Sequence, residues 1–158
     1  TVDSTRPGHL VIPFCSVVAV AICILISEPG FLCQLRDDVP TIRCPGQWGL
    51  FGGHIEEGED ARTAVQRELM EEICLDAKSF EYLGEFPDEG VIRHVFVHAV
   101  ETLSGLILKE GWDMAVLTRE QLESGFAFSE KAGMIRPVAE PVRLIFRQFC
   151  QTRAQKTG

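Results

Sequence analysis

No Cys-x-x-Cys pair occurs in the chain, and its six cysteines, Cys15, Cys23, Cys33, Cys44, Cys74 and Cys150, stand apart from any histidine cluster. This spacing argues against a zinc site or a short disulfide scaffold and fits free thiols in a reducing cytosol. Basic residues are in short supply: 15 Lys and Arg face 23 Asp and Glu, a net charge of −8 with histidine neutral. Such a surface repels a phosphate backbone and excludes broad nucleic-acid binding. A small anionic ligand is acceptable only where something cationic neutralises it locally. Internal repeats and low-complexity tracts are absent. With 158 residues the chain can bury one hydrophobic core, and the expected organisation is a polar lead-in over 1–9 and a single domain over 10–153.

One hydrophobic run is long, the seventeen residues Leu10 to Ile26. A helical membrane span takes about 20 residues. The run is shorter, rich in β-branched residues and interrupted by Pro13, and it leads into Glu28-Pro29-Gly30 and a second apolar stretch, Phe31 to Leu35. Two apolar runs joined by a turn predict buried strands in a hairpin, not a membrane span or a signal-peptide core.

Downstream, Trp48 to Gly53 is a short apolar run ending on paired glycines. Phe80 to Phe86 and Val91 to Val100 read as strands around a Pro87-Asp88-Glu89-Gly90 turn. Leu106 to Leu108 and Met114 to Leu117 are short strand candidates. Thr118 to Gln121 offers a capping box for a short helix. A last helix starts near Pro137 to Pro141 and turns Val142, Ile145, Phe146 and Phe149 inward. Strands mixed with two or three helices predict a layered α/β or α+β domain.

The chemistry concentrates in the segment Glu59 to Ile73, which has no Gly or Pro and places Ala61, Val65, Leu69 and Ile73 at four-residue intervals, as an amphipathic helix does. With Leu69 at zero on the helical wheel, Glu72, Glu68 and Glu71 fall about 60°, 100° and 160° to one side. Like charges so placed repel, by a few tenths of a kcal/mol per pair. The cluster is therefore either a solvated acidic face or a holder for a cation. Hard divalent ions such as Mg²⁺ take oxygen ligands and are commonly held by one or two carboxylates together with substrate phosphates. Arg67 lies one turn before Glu71, where a guanidinium can grip its carboxylate. Gly52 and Gly53 let backbone groups come close to an ion or phosphate.

The stretch GHIEEGEDARTAVQRELMEEICL, Gly53 to Leu75, resembles the Nudix box, Gly-x5-Glu-x7-Arg-Glu-U-x-Glu-Glu-x-Gly-U with U bulky and aliphatic. Gly53, Glu59, Arg67, Glu68, Leu69, Glu71, Glu72 and Leu75 match in register, and Cys74 replaces the last glycine. The resemblance implies an α/β/α sandwich with a mixed β-sheet and a Mg²⁺-dependent pyrophosphohydrolase, with Mn²⁺ as a substitute metal. Glu68 and Glu72 would be the main metal ligands, with Glu71 beside them and the Gly52 carbonyl as a further one. Arg67 and Glu59 would orient the carboxylates, and Glu68 and Glu71 are both candidates for the general base. Two departures stand out. Phe51 sits where many relatives have proline. At Cys74 a left-handed turn costs a non-glycine residue roughly 1–2 kcal/mol, so the chain is expected to leave the helix another way.

Outside the box, several members of the family that the chain resembles add a metal ligand or base from a late-loop glutamate, and Glu110, in a loop before Gly111-Trp112-Asp113, is the candidate for that role; the alternative is a solvated loop residue. Arg93 and His94 are candidate phosphate contacts, of which alternation along a strand allows one at most to face the site. Trp48 and Trp112 suit core packing better than base stacking. The expected substrate is a small nucleotide with a pyrophosphate bond, such as a nucleotide sugar, dinucleotide, nucleoside triphosphate or capped RNA end. The competing reading is a nucleotide sensor that binds without cutting. Homodimerisation is compatible with the pattern but not dictated by it.

Overall fold

The computed structural model describes residues 17–156; the lead-in and the first part of the long apolar run lie outside them. The rest of that run forms β1 (Val18–Ser27), followed by β2 (Gly30–Leu35) across the expected turn. The two strands pair only from Leu25–Leu32 to Ser27–Gly30. Beyond that point the next segment bonds to both of them: β3 (Trp48–Gly49) pairs with β2, and β4 (Phe51–His54) pairs with β1. The paired glycines are thus held in a sheet ladder, opposite Ile22 and Ala21.

β5 (Glu81–Asp88) and β6 (Val91–Ala99) form the second expected hairpin, and β6 lies parallel to β1 over nine residue pairs. β7 (Asp113–Leu117) closes the far edge against β2. The sheet is mixed, with seven strands in the order β3-β2-β1-β6-β5 and β4 and β7 branching from β1 and β2. Leu106 to Leu108 is not a strand. The amides of Ile107 and Lys109 instead donate to the carbonyls of Ile73 and Glu72, at 3.1 and 2.8 Å.

Alternation along β1 assigns the two faces of the sheet. Ala21, Cys23 and Leu25 pack with Val65, Leu69 and Ile73 of α1 (Ala61–Ile73). Ile24, with Cys33, Leu35, Val95 and Val97, packs beneath α2 (Arg119–Ser124) and α3 (Glu140–Lys156), whose Val142, Ile145, Phe146 and Phe149 are the residues expected to point inward. Helices on both faces make the α/β/α sandwich. The capping box at Thr118 forms, with Gln121 closing it. A hairpin that the sequence reading did not anticipate, β8 (Phe126–Ser129) with β9 (Met134–Pro137), connects α2 to α3. No helix among the described residues is long and apolar enough to cross a membrane, and Cys23, Cys33, Cys44, Cys74 and Cys150 are free thiols.

Two local expectations change. The helix begins at Ala61, capped by Asp60, whose side chain accepts the Thr63 N–H at 2.7 Å; Glu59 therefore lies before the helix. Cys74 does adopt the left-handed conformation (φ 58°, ψ 31°). Its N–H donates to Met70 and that of Leu75 to Leu69, so two terminal carbonyls gain partners only if this residue turns left-handed. Replacing Cys74 with glycine should remove that strain and stabilise the protein by about 1 kcal/mol, read as a higher midpoint of urea unfolding with an unchanged slope.

Candidate active site

α1 crosses β4 and β1 with its apolar stripe down, which places the next residues round the helix against the glycine pair. Glu72 is 3% exposed, an unusual burial for a carboxylate. Its Oε1 accepts the Gly52 N–H at 3.3 Å. Glu68 lies on Gly53: a Cβ at that position would come within 2.6 Å of the Glu68 carboxyl. At Gly52, where φ is +144°, a Cβ would meet the Ala21 carbonyl. Both positions must therefore be glycine, one for close approach and the other also for its backbone angle. Gly53→Ala should push Glu68 out of place while leaving the hydrophobic core untouched, so turnover should fall about 10–100-fold with little change in melting temperature.

Arg67 organises the other half of the site. Its Nε and Nη2 donate to the two oxygens of Glu59 at 2.8 and 2.9 Å, and Nη2 also donates to the His54 carbonyl at 3.1 Å. Its Nη1 donates to Glu68 at 3.0 Å and Glu71 at 3.2 Å. All five guanidinium N–H groups are thereby used. One side chain ties the loop before the helix to two carboxylates on it. The Arg67 guanidinium holds the Glu59 carboxyl down to about 2.

Glu72 has no such counter-charge. Burial comes first, and the hydrogen-bonded Glu68 carboxyl and the negative charge of Glu110 add to it; together they push the Glu72 carboxyl far above the usual carboxylate range, against the small opposing effect of the Gly52 amide. Glu110 reaches this neighbourhood because the Lys109 amide is tied to the Glu72 carbonyl.

The sequence-predicted residues thus divide. Glu68 and Glu72 come together at Gly52 and Gly53, Arg67 and Glu59 brace Glu68, and Glu110 acts on Glu72 through its charge. Glu71 stands apart, its side chain 58% exposed and turned to Arg67. Gly52 meets the carboxylates through its amide. Arg93 and His94 point to opposite faces. Arg93 pairs with Asp88 at 3.4 Å, and His94 bonds the Tyr82 hydroxyl at 3.0 Å; neither contacts the box carboxylates. Trp48 is fully buried, its indole donating to Ala127 at 3.0 Å, and Trp112 lies under the Arg136 guanidinium. The reading of the sequence missed the buried Asp113, which accepts the Ser129 hydroxyl at 2.7 Å and fastens the β8–β9 hairpin to β7.

Among the described residues no three acidic, histidine or cysteine side chains close into a ready-made metal cage. The donor set is a pair of facing carboxylates, one of them deeply buried, with a third acidic residue nearby and no cationic side chain bonded to Glu72. An all-oxygen set with excess negative charge suits a hard divalent cation that keeps waters and shares its coordination with a ligand phosphate.

Known proteins identify the family and the fold. The chain matches the NUDIX domain over residues 16–133. Proteins named nucleoside triphosphatase NudI, from Escherichia coli (strain SE11) and Shigella flexneri, are 43% identical over 54 residues, which is 33% of this chain and 37% of those proteins; the match thus spans little more than a third of the length of these relatives. Among solved structures, a MutT protein from Methanosarcina mazei Go1 superposes with a TM-score of 0.68 at 21% identity, covering 86% of this chain and 94% of that one. The E. coli ORF135 protein gives 0.66 at 23% identity, covering 87% and 91%. The sheet sandwiched between helices is the fold of these proteins, and with the domain match extending over most of its length the chain belongs to the NUDIX family.

Proposed function

We propose that the protein hydrolyses a pyrophosphate bond in a small nucleotide in a Mg²⁺-dependent reaction, with nucleoside triphosphates as the first class to test. The observation that carries this reading is the buried Glu72 carboxyl facing Glu68 across the glycine pair, a charge arrangement that favours a divalent cation. Relatives named nucleoside triphosphatase support the substrate class; nucleotide sugars and dinucleotides share the same bond.

Glu68 and Glu72 would hold Mg²⁺ or Mn²⁺, with Glu110 at the rim and the Gly52 carbonyl as a further oxygen. The cation would neutralise the phosphate oxygens of an already anionic substrate and make water more acidic. Arg67 fixes the direction of Glu68 and Glu71, and Glu59 fixes Arg67. Glu68 and Glu71 are the two candidates for taking a proton from the attacking water, and Glu71, exposed and bonded on one oxygen to Arg67, is the one to substitute first. Water oxygen bonds to phosphorus, the anhydride bond breaks, and the leaving phosphate departs with the electron pair.

A hydrolysis panel of nucleoside triphosphates, nucleotide sugars and dinucleotides with Mg²⁺ or Mn²⁺ tests the proposal. Turnover that needs the metal supports it. Tight nucleotide binding with no turnover on any member would replace it with the sensor reading. Glu71→Gln separates the roles of the acids: it should lower kcat by about 10²–10⁴-fold, the contribution of a general base, while leaving the metal concentration for half-maximal activity nearly unchanged.

A further inference from the structure

On the other side of the sheet from the carboxylates, α2 and α3 border a cleft of about 340 Å³ whose walls include Arg119, Leu122, Glu123, Arg143, Phe146 and Arg147. Its walls carry the guanidinium groups of Arg119, Arg143 and Arg147 against the Glu123 carboxylate, with Glu140 3.7 Å from Arg143 at the edge, which leaves a local excess of positive charge in a chain that carries −8 overall. Their hydrogen-bonding capacity is mostly open. Arg119 donates its Nε to Glu123 at 2.8 Å. Arg143 donates Nη2 to the Glu123 carbonyl at 3.0 Å, while its Nη1 is 3.7 Å from Glu140, too far for a hydrogen bond. Its Nε is buried and has no partner among the described residues. The Arg147 side chain makes no hydrogen bond or ion pair among the described residues and is exposed.

A surface arginine needs no partner, since water solvates it. Three arginines gathered on two helices are different, because each raises the cost of placing the next. Here Arg143 and Arg147 are one turn apart on α3, and Arg119 stands opposite at the start of α2. Guanidinium forks match phosphate oxygens in pairs, and Arg is the residue suited to that geometry. The apolar floor of Leu122 and Phe146 lowers the local dielectric and strengthens such bonds.

We propose that this cleft is a second anion site, binding a phosphate or diphosphate group between α2 and α3, separate from the carboxylate site on α1. Pyrophosphate and phosphate are also the class of anion that phosphoanhydride hydrolysis releases, but the site stands on its own residues and does not depend on that activity.

The test is calorimetric titration of the whole protein with inorganic pyrophosphate, and separately with inorganic phosphate, in metal-free buffer at low ionic strength, so that binding through a cation on α1 does not contribute. Saturable binding that weakens at least roughly tenfold in the double variant Arg119→Gln/Arg147→Gln, as expected on losing two charge-assisted donors, and persists in Glu72→Gln supports the site. Both substituted arginines are exposed and outside the core, so the double variant should melt as the parent does. Absence of saturable binding by either anion, undiminished binding in the double variant, or loss of binding in Glu72→Gln would each overturn the proposal.

Discussion

Glu72→Gln should abolish metal-dependent turnover, by roughly a thousandfold or more, and at the same time make the metal-free protein more stable. The two effects have one cause. Without a cation the buried Glu72 carboxyl is held in its neutral form by burial and by Glu68 and Glu110. A carboxyl whose folded pKa is raised contributes most to stability below its unfolded pKa, and that contribution is lost as pH rises from the ordinary carboxylate range through the raised value. Each tenfold preference for the protonated form is worth about 1.4 kcal/mol, which in a chain of this size is roughly 3–5 °C in melting temperature. The amide introduced by Glu72→Gln cannot ionise, so the gain over the parent should be larger at pH 8 than at pH 5. Mg²⁺ should raise the melting temperature of the parent, more at pH 8 than at pH 6 because the ion must displace a proton, and should do nothing for the variant. Thermal melts with and without Mg²⁺ at the three pH values check all of this; a variant that is destabilised, or still stabilised by Mg²⁺, would break the assignment.

Arg67→Lys should cost about 10–100-fold in activity or metal affinity even though the charge is kept, the usual penalty for losing a group that aims a metal ligand. An ammonium has three donors and no fixed fork, so it cannot serve Glu59, Glu68, Glu71 and the His54 carbonyl together. Acid tolerance should change as well. Glu59 is held down to about 2 by Arg67, so its contribution to stability is present above the ordinary carboxylate range and lost only as pH falls toward 2. In Arg67→Lys that acid limb should move to higher pH, visible in unfolding followed by circular dichroism between pH 2 and 5. Arg67→Ala should show the same shift more strongly. An acid limb that stays in place in both variants would mean that the fork is not what holds Glu59.

Much of this arrangement was legible in the residues because it depends on local periodicity. Val65, Leu69 and Ile73 mark the buried stripe of α1, Val142, Ile145, Phe146 and Phe149 that of α3, and Thr118 with Gln121 the start of α2; each is a spacing within a few turns of chain. The box itself fixed which acids lie on one helix. What the wheel left unresolved was how far each is buried: Glu68, Glu71 and Glu72 share one flank, yet the contacts of β4 and the loop carrying Glu110 cover Glu72 and leave Glu71 in solvent. Those contacts join residues distant in sequence, which no local pattern records.

Where structure and local pattern part, distant contacts are again the reason. Leu106 to Leu108 has the composition of a strand, but its neighbouring amides satisfy the last carbonyls of α1. Cys74 is a poor residue for a left-handed turn, but the carbonyls of Leu69 and Met70 gain their partners through that turn, and the bonds offset the local strain. The β8–β9 hairpin escaped notice because Phe126, Phe128 and Ile135 point outward, reversing the usual inside-out code, while Ala127 and Ser129 turn inward.

The central claim, that Glu68 and Glu72 together bind a divalent cation, is tested most directly by soaking crystals of the protein in MnCl₂ and collecting anomalous diffraction above the manganese edge. The account predicts an anomalous peak in contact with carboxylate oxygens of both Glu68 and Glu72, absent in Glu72→Gln. Crystals of protein that is active with Mn²⁺, showing no peak there and the two carboxyls still hydrogen-bonded to each other, would contradict it.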